Sequence, residues 1–173
     1  MIDPKAMPTH ALTLWQPWAS AIVHGPKRVE NRSWSPPGNV IGRRIWIHAG
    51  MYIDHEHYED VIDLWRMFGV REATIPKMVH GAIIGHAIVA GYGYERAADD
   101  GALLTDPEYT VVGAVTSDVF DDPWWMGPYG WVLCDVREIQ PVEVRGFQKL
   151  WRIKNEHLQL ELAREFGRSM EAK

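Results

Sequence analysis

The sequence has 173 residues, the size of one domain that buries about 70% of its unfolded surface, so it needs neither a disulfide framework nor a metal staple. It is 46% hydrophobic, 24% charged and 11% aromatic, a balance that excludes disorder, collagen-like repeats and long coiled coils. Lys plus Arg total 18 against 23 Asp plus Glu, for a net charge of -5; this is not the field of a protein that coats nucleic acid by phosphate neutralisation, although a local basic cleft is compatible with it. The single cysteine, Cys134, suits a reducing compartment, and the expectation is a cytoplasmic protein. Nine tryptophans outnumber six tyrosines and four phenylalanines.

In chain order, residues 1–10 read as a flexible leader, and no signal peptide or membrane-spanning helix is expected. Ala11 to Leu14 reads as a short strand, and Pro17 opens a helix whose apolar face carries Trp18 and Ile22 and which Gly25 and Pro26 stop. From Lys27 to Trp34 the pattern alternates: Arg28, Glu30, Arg32 and Trp34 share one face, Val29, Asn31 and Ser33 the other. After a Ser35-Pro36-Pro37-Gly38 turn, Arg43 to Ala49 is a strand with Ile45 and Ile47 inward and Arg44, Trp46 and His48 opposite. Asp54 is expected to cap a helix ending near Phe68, because Tyr58, Val61, Ile62, Trp65 and Phe68 recur at three- and four-residue steps. Gly81 to about Tyr92 is a glycine-interrupted strand, and residues 95–128 a turn-rich excursion with a strand candidate at Tyr109 to Val112. Trp131 to Ile139 is a strand, Pro141 to Val144 lies at an edge, and Asn155 begins a closing helix that ends near Gly167. Strands and helices do not alternate regularly, so a doubly wound parallel sheet is disfavoured, and an α+β domain around a strongly bent or closed small barrel is inferred.

The chemistry-bearing residues concentrate in three passages: Leu14-Trp15-Gln16-Pro17-Trp18-Ala19; His24-Gly25-Pro26-Lys27-Arg28-Val29-Glu30-Asn31-Arg32-Ser33-Trp34; and Gly42-Arg43-Arg44-Ile45-Trp46-Ile47-His48-Ala49. They resemble the ASCH family, whose hallmarks are a Q-P-W helix start, a G-x-K-x-x-E-x-R turn and strand, and an I-H-A strand end. Gly127 to Leu133 and Arg145 to Arg152 look like its closing strands. The resemblance covers about residues 11–153, with residues 154–173 as a C-terminal helix and tail. It implies a PUA-like β-barrel with two or three flanking helices and a cleft for RNA, single-stranded nucleic acid or a nucleotide. Related members are amide hydrolases acting on modified nucleosides, so function varies within the fold and whether this chain is an enzyme stays open.

Lys27 and Arg32 are suited to hold a phosphate or carbonyl oxygen, and Trp15, Trp34 or Tyr129 to offer a stacking face. Glu30 would accept from an exocyclic amine or orient Lys27, and if the protein is a hydrolase this pair is the catalytic candidate. The expected ligand-binding set is Trp15, Gln16, Trp18, Lys27, Glu30, Arg32, Trp34, His48 and Tyr129. Strict alternation sets Lys27 and Glu30 on opposite faces, so their cooperation requires Lys27 to sit in the turn after Pro26. The plainer reading has Glu30 pairing with Arg28 or Arg32 on an exposed face and His48 as a hydrogen-bonded structural imidazole. Trp65 reads as core, Trp46 and Trp131 as core or barrel-rim residues, Trp124 and Trp125 as a loop anchor, and Cys134 as a buried thiol. Asp54-His55-Glu56-His57 offers donors in a row, but neighbours on a helix point in different directions, so no metal is expected, nor any cofactor. A protein-interaction adaptor using residues 95–128 is a further alternative.

Overall fold

Alternating apolar residues in His10–Gln16 form β1, with Ala11, Leu12 and Leu14 buried. The computed structural model describes residues 6–70, 78–96 and 108–172. After β1 come α1 (Trp18–Val23), β2 (Val29–Arg32), β3 (Arg44–Ile53), α2 (Tyr58–Met67), β4 (Ala82–Arg96), β5 (Glu108–Gly113), β6 (Tyr129–Glu143), β7 (Leu150–Arg152) and α3 (Glu156–Glu171). Seven strands make one mixed sheet in the order β2-β6-β4-β3-β1-β7, with β5 pairing β4 beyond the end of β3. β1 and β3 run parallel, and the other named pairs are antiparallel. The sheet curls into a half-barrel flanked by three helices, an α+β architecture. Repeated register shifts between β4 and β6 fall beside Gly85 and Gly91, where bulges increase local twist.

β3 was expected to turn Ile45 and Ile47 inward and Arg44, Trp46 and His48 the other way. Instead it lies between β4 and β1, and every residue from Arg44 to Gly50 is buried. One core, built on Leu12, Ile22, Ile45, Ile47, Ile84, Trp131 and Leu133, fills the concave face. A second joins Trp46, Ile83, Ile139 and Val142 to Leu162 of α3, and a third packs Val61 and Trp65 of α2 against Ala21, Val29 and Trp124. The expected leader is in part docked: Pro8 accepts the Trp46 indole N–H (2.9 Å) and Thr9 accepts the Ile153 amide (3.0 Å), while residues 1–5 fall outside the described set. Asp54 serves the start of α2 from four residues ahead of it, accepting the amide of His57, the residue just before the helix (3.2 Å). Cys134 is exposed rather than buried, because the Trp131/Leu133 face of β6 is the one turned to the core. Burial of the thiol's surroundings, with Asp135 beside it, holds its pKa above the usual thiol value.

Asn155 caps α3 by accepting the Leu158 amide (3.0 Å). The helix does not stop at Gly167 but continues to Glu171, and contacts in its last turn account for the extension. Arg137 donates to the Ser169 carbonyl (2.9 Å). Arg44 Nη1 lies 3.0 Å from His86 Nδ1; a guanidinium can only donate, so Nε2 carries the imidazole proton and donates to Ser169 Oγ (2.8 Å), whose hydroxyl donates to the Phe166 carbonyl (2.8 Å). Burial first, then the charges of Arg44 and Arg137, lower the His86 pKa from 6.5 to about 3.

Two predictions follow from this packing. A Cβ on Gly25 would lie 1.5 Å from the Trp65 indole nitrogen, so Gly25→Ala should destabilise by about 1–3 kcal/mol, the usual cost of overpacking, measured by urea unfolding. Below pH 6.5 the unfolded chain protonates His86 while the folded chain does not, so the unfolded state binds more protons and stability falls as pH drops toward 3. The slope from this residue approaches about 1.4 kcal/mol per pH unit. His86→Gln should remove that part of the acid sensitivity, and an unchanged slope would contradict the assignment.

Candidate functional site

β2 and β1 sit toward opposite ends of the strand order, yet Arg32 Nη2 of β2 donates to the Thr13 carbonyl of β1 at 2.9 Å. A side chain thus bridges the gap that backbone pairing leaves in the half-barrel. A hollow of about 350 Å³ lies there, at the small end of the range for ligand sites. β1 contributes Thr13, Leu14 and Trp15; α1 contributes Trp18; β2 contributes Glu30, Asn31 and Arg32; Lys27, Asp54, His57 and Met126 complete the lining.

Lys27 does sit in the turn after Pro26, where its backbone amide donates to the Ala21 carbonyl (3.0 Å). Its ammonium is wholly buried, lies 3.2 Å from Glu30 Oε2 and donates to the Val29 carbonyl. The rings of Trp18 and Trp124 flank it at 5.3 and 5.7 Å, within cation–π range. Two of its three N–H donors are thereby used, and the ammonium presents no surface to solvent. Burial pushes the Lys27 pKa down, and the Glu30 carboxylate pulls partly the other way. Glu30, 6% exposed, holds Arg32 Nε at 3.2 Å with its other oxygen. One carboxylate therefore faces two cations. Arg28, a candidate partner for Glu30, turns instead to the carbonyls of Ile22, Gly25 and Lys27.

The rim is ordered by a second set of contacts. Trp18 donates its indole N–H to Asp54 Oδ2 (2.8 Å), and the His57 ring lies 3.1 Å from the same oxygen. Burial alone would raise the Asp54 pKa, but the hydrogen bonds from Trp18 and His57 outweigh it and the net shift is downward. Asn31 clamps the far wall, donating to the Trp124 carbonyl (2.7 Å) and accepting the Met126 amide (2.8 Å). Trp15 stands at the mouth, 54% exposed.

Of the nine residues expected to bind ligand, five line this hollow: Trp15, Trp18, Lys27, Glu30 and Arg32. His48 lines a neighbouring groove instead. It is buried, its Nε2 donates to the Val144 carbonyl (3.0 Å), and the Cα of Gly146 packs so close to its ring that a Cβ there would lie 2.2 Å from Cε1. Burial lowers its pKa, with the Val144 bond opposing. Gln16 is buried outside both spaces, accepting the Ser20 amide (3.1 Å) and donating to the Val79 carbonyl (2.7 Å); it serves the start of α1, where Pro17 has no side-chain oxygen to offer. Trp34 packs edge-on against Trp131 at 4.7 Å. Tyr129 joins a tyrosine cluster with Tyr92 and Tyr94. Thr13, Asn31, Asp54, His57 and Met126 were not anticipated as lining residues; Asp54 carried a signal, but as a helix cap. Among the described residues no cluster of three or more His, Cys, Asp or Glu side chains is arranged to hold a metal, and no helix is long and apolar enough to cross a membrane.

The ASCH domain profile matches residues 12–101, which takes in every charged residue lining the hollow and, of the whole lining, leaves out only Met126. The chain belongs to the ASCH domain family. Two crystal structures of ZmASCH mutant proteins from Zymomonas mobilis are similar to it. One carries a tyrosine-to-phenylalanine change and is 18% identical, covering 89% of this chain and 96% of its own, with a TM-score of 0.46. The other carries a serine-to-alanine change and is 19% identical, covering 94% and 98%, with a TM-score of 0.45. No curated protein matches the chain.

The charge arrangement makes a stability prediction. Glu30→Gln leaves two buried or half-buried cations without their carboxylate and should cost about 3–5 kcal/mol. Lys27→Met fills similar volume, removes the desolvated ammonium and leaves Glu30 paired with Arg32, so its cost should be much smaller. Urea unfolding of both variants checks the order, and a reversed order would contradict the charge assignment.

Proposed function

We propose that the chain binds a nucleotide unit, free or within RNA or another single-stranded nucleic acid, in the Lys27–Glu30–Arg32 hollow. The observation that supports this most is the convergence of two cations and one carboxylate on the wall of a nucleoside-sized space with an exposed indole at its mouth. The Arg32 guanidinium, with the Lys27 charge behind it, suits a phosphate or a base carbonyl, Glu30 suits an exocyclic amine, and Trp15 suits stacking, which contributes about 1–3 kcal/mol per base. The overall charge of -5 fits recognition of a local unit better than coverage of a long polyanion. Lys27→Ala and Arg32→Ala should each weaken binding of a fluorescent single-stranded oligonucleotide at low salt by about tenfold or more, read by anisotropy. Unchanged affinity in both variants would reject the reading.

A second reading, an amide hydrolase acting on acylated nucleosides, is favoured by one observation: burial lowers the Lys27 pKa beside Glu30. Glu30 would take a proton from water as it adds to the amide carbonyl, Arg32 would stabilise the oxyanion, and the proton would pass to the departing amine as the C–N bond breaks. Incubation with acylated cytidine followed by chromatography tests it, and absence of product at high protein concentration removes it.

A further inference from the structure

The small hollow shares a wall with a groove of about 990 Å³, because Thr13, Trp15 and Arg32 line both. That volume is well beyond what one base in the hollow would use. Three aromatic side chains on its lining are exposed: Trp15 and Tyr52, whose rings lie 6.0 Å apart and tilted by 50°, and Phe147, 58% exposed. Exposed aromatic rings grouped on one surface mark a place where something else packs. The same groove carries Arg145 and Lys149, both exposed and neither with an ion-pair partner among the described residues, against one carboxylate, Glu143. His48 holds this segment in place through the Val144 carbonyl and its contact with Gly146. In a chain of net charge -5, aromatic faces interleaved with unpaired cations match the requirements of an unpaired polynucleotide, whose bases stack while its phosphates seek cations.

Building on the reading above, we propose that the groove is a second subsite for the adjoining nucleotides, so that the ligand is a single strand of at least two or three units rather than a free nucleotide. One base occupies the small hollow; the next lies across Trp15, Tyr52 or Phe147; phosphates run past Arg32 toward Arg145 and Lys149.

The test titrates the whole protein with labelled mono-, di-, tri- and hexanucleotides, in ribo and deoxyribo forms, with a duplex of the longest as control. Affinity should rise about tenfold from mono- to trinucleotide in at least one sugar series and be weaker for the duplex. Tyr52→Ala with Phe147→Ala should abolish that gain while leaving mononucleotide binding intact. Arg145→Glu with Lys149→Glu should do the same, and Arg145→Ala with Lys149→Ala should flatten the salt dependence by about 0.7 per lost phosphate contact. A length-independent affinity that still depends on Lys27 and Arg32 would overturn the second subsite and leave the first reading standing. Length-dependent binding that the groove variants abolish but Lys27→Ala and Arg32→Ala do not would support the groove and sink the assignment of the hollow.

Discussion

An ammonium with no exposed surface can persist in this fold because Glu30 stands 3.2 Å away. Much of the local architecture follows from that requirement. The Gly25-Pro26 turn delivers Lys27 into the space between Trp18 and Trp124, and the register of β2 on β6 fixes Glu30 opposite Trp131. The second carboxylate oxygen engages Arg32, which in turn reaches Thr13 across the open side of the half-barrel. Desolvating such groups costs several kcal/mol per ion unless geometry and hydrogen bonds return it. A hydrophobic substitute would satisfy the fold more cheaply, which is why charges buried in a hollow point toward a ligand.

The two recessed spaces differ in character. The smaller has buried charge and a polar rim; the larger has exposed rings and two exposed cations that have no ion-pair partner among the described residues. Selectivity is expected from the first, where a wrong functional group would leave a buried donor or acceptor unsatisfied. In the proposed mode of binding the second would supply contact area with little discrimination, because every base has a π-face. Arg32 and Trp15 belong to both, so neither space can be altered at its shared wall without consequence for the other.

Most of the architecture was legible in the residues. Periodicity located α2, β4 and β6, and the Q-P-W, G-x-K-x-x-E-x-R and I-H-A passages drew together Trp15, Trp18, Lys27, Glu30 and Arg32. The turn position of Lys27 was stated as a condition of that convergence, and the backbone meets it. What pattern could not supply was pairing across the sheet. Alternation turned only Ile45 and Ile47 of β3 inward, whereas its central position buries both faces and gives Arg44 and His48 partners far along the chain. Gln16 stood in the most distinctive motif, yet its role is to cap α1. Trp34 and Tyr129 were offered as stacking faces, but neighbours in the fold, Trp131 for one and Tyr92 with Tyr94 for the other, already engage them. Cys134 was placed on the wrong side because period-two reading gives two faces without saying which is inward.

The distribution of the nine indoles has a spectroscopic consequence. Trp46, Trp65, Trp124 and Trp131 are fully enclosed, Trp18, Trp34, Trp125 and Trp151 are partly covered, and Trp15 alone is more than half open to solvent. A water-soluble quencher such as iodide therefore reaches Trp15 first and extinguishes the red-shifted fraction of the emission. The residue at the junction of both recesses would thus report, without any attached label, on whatever ligand covers it.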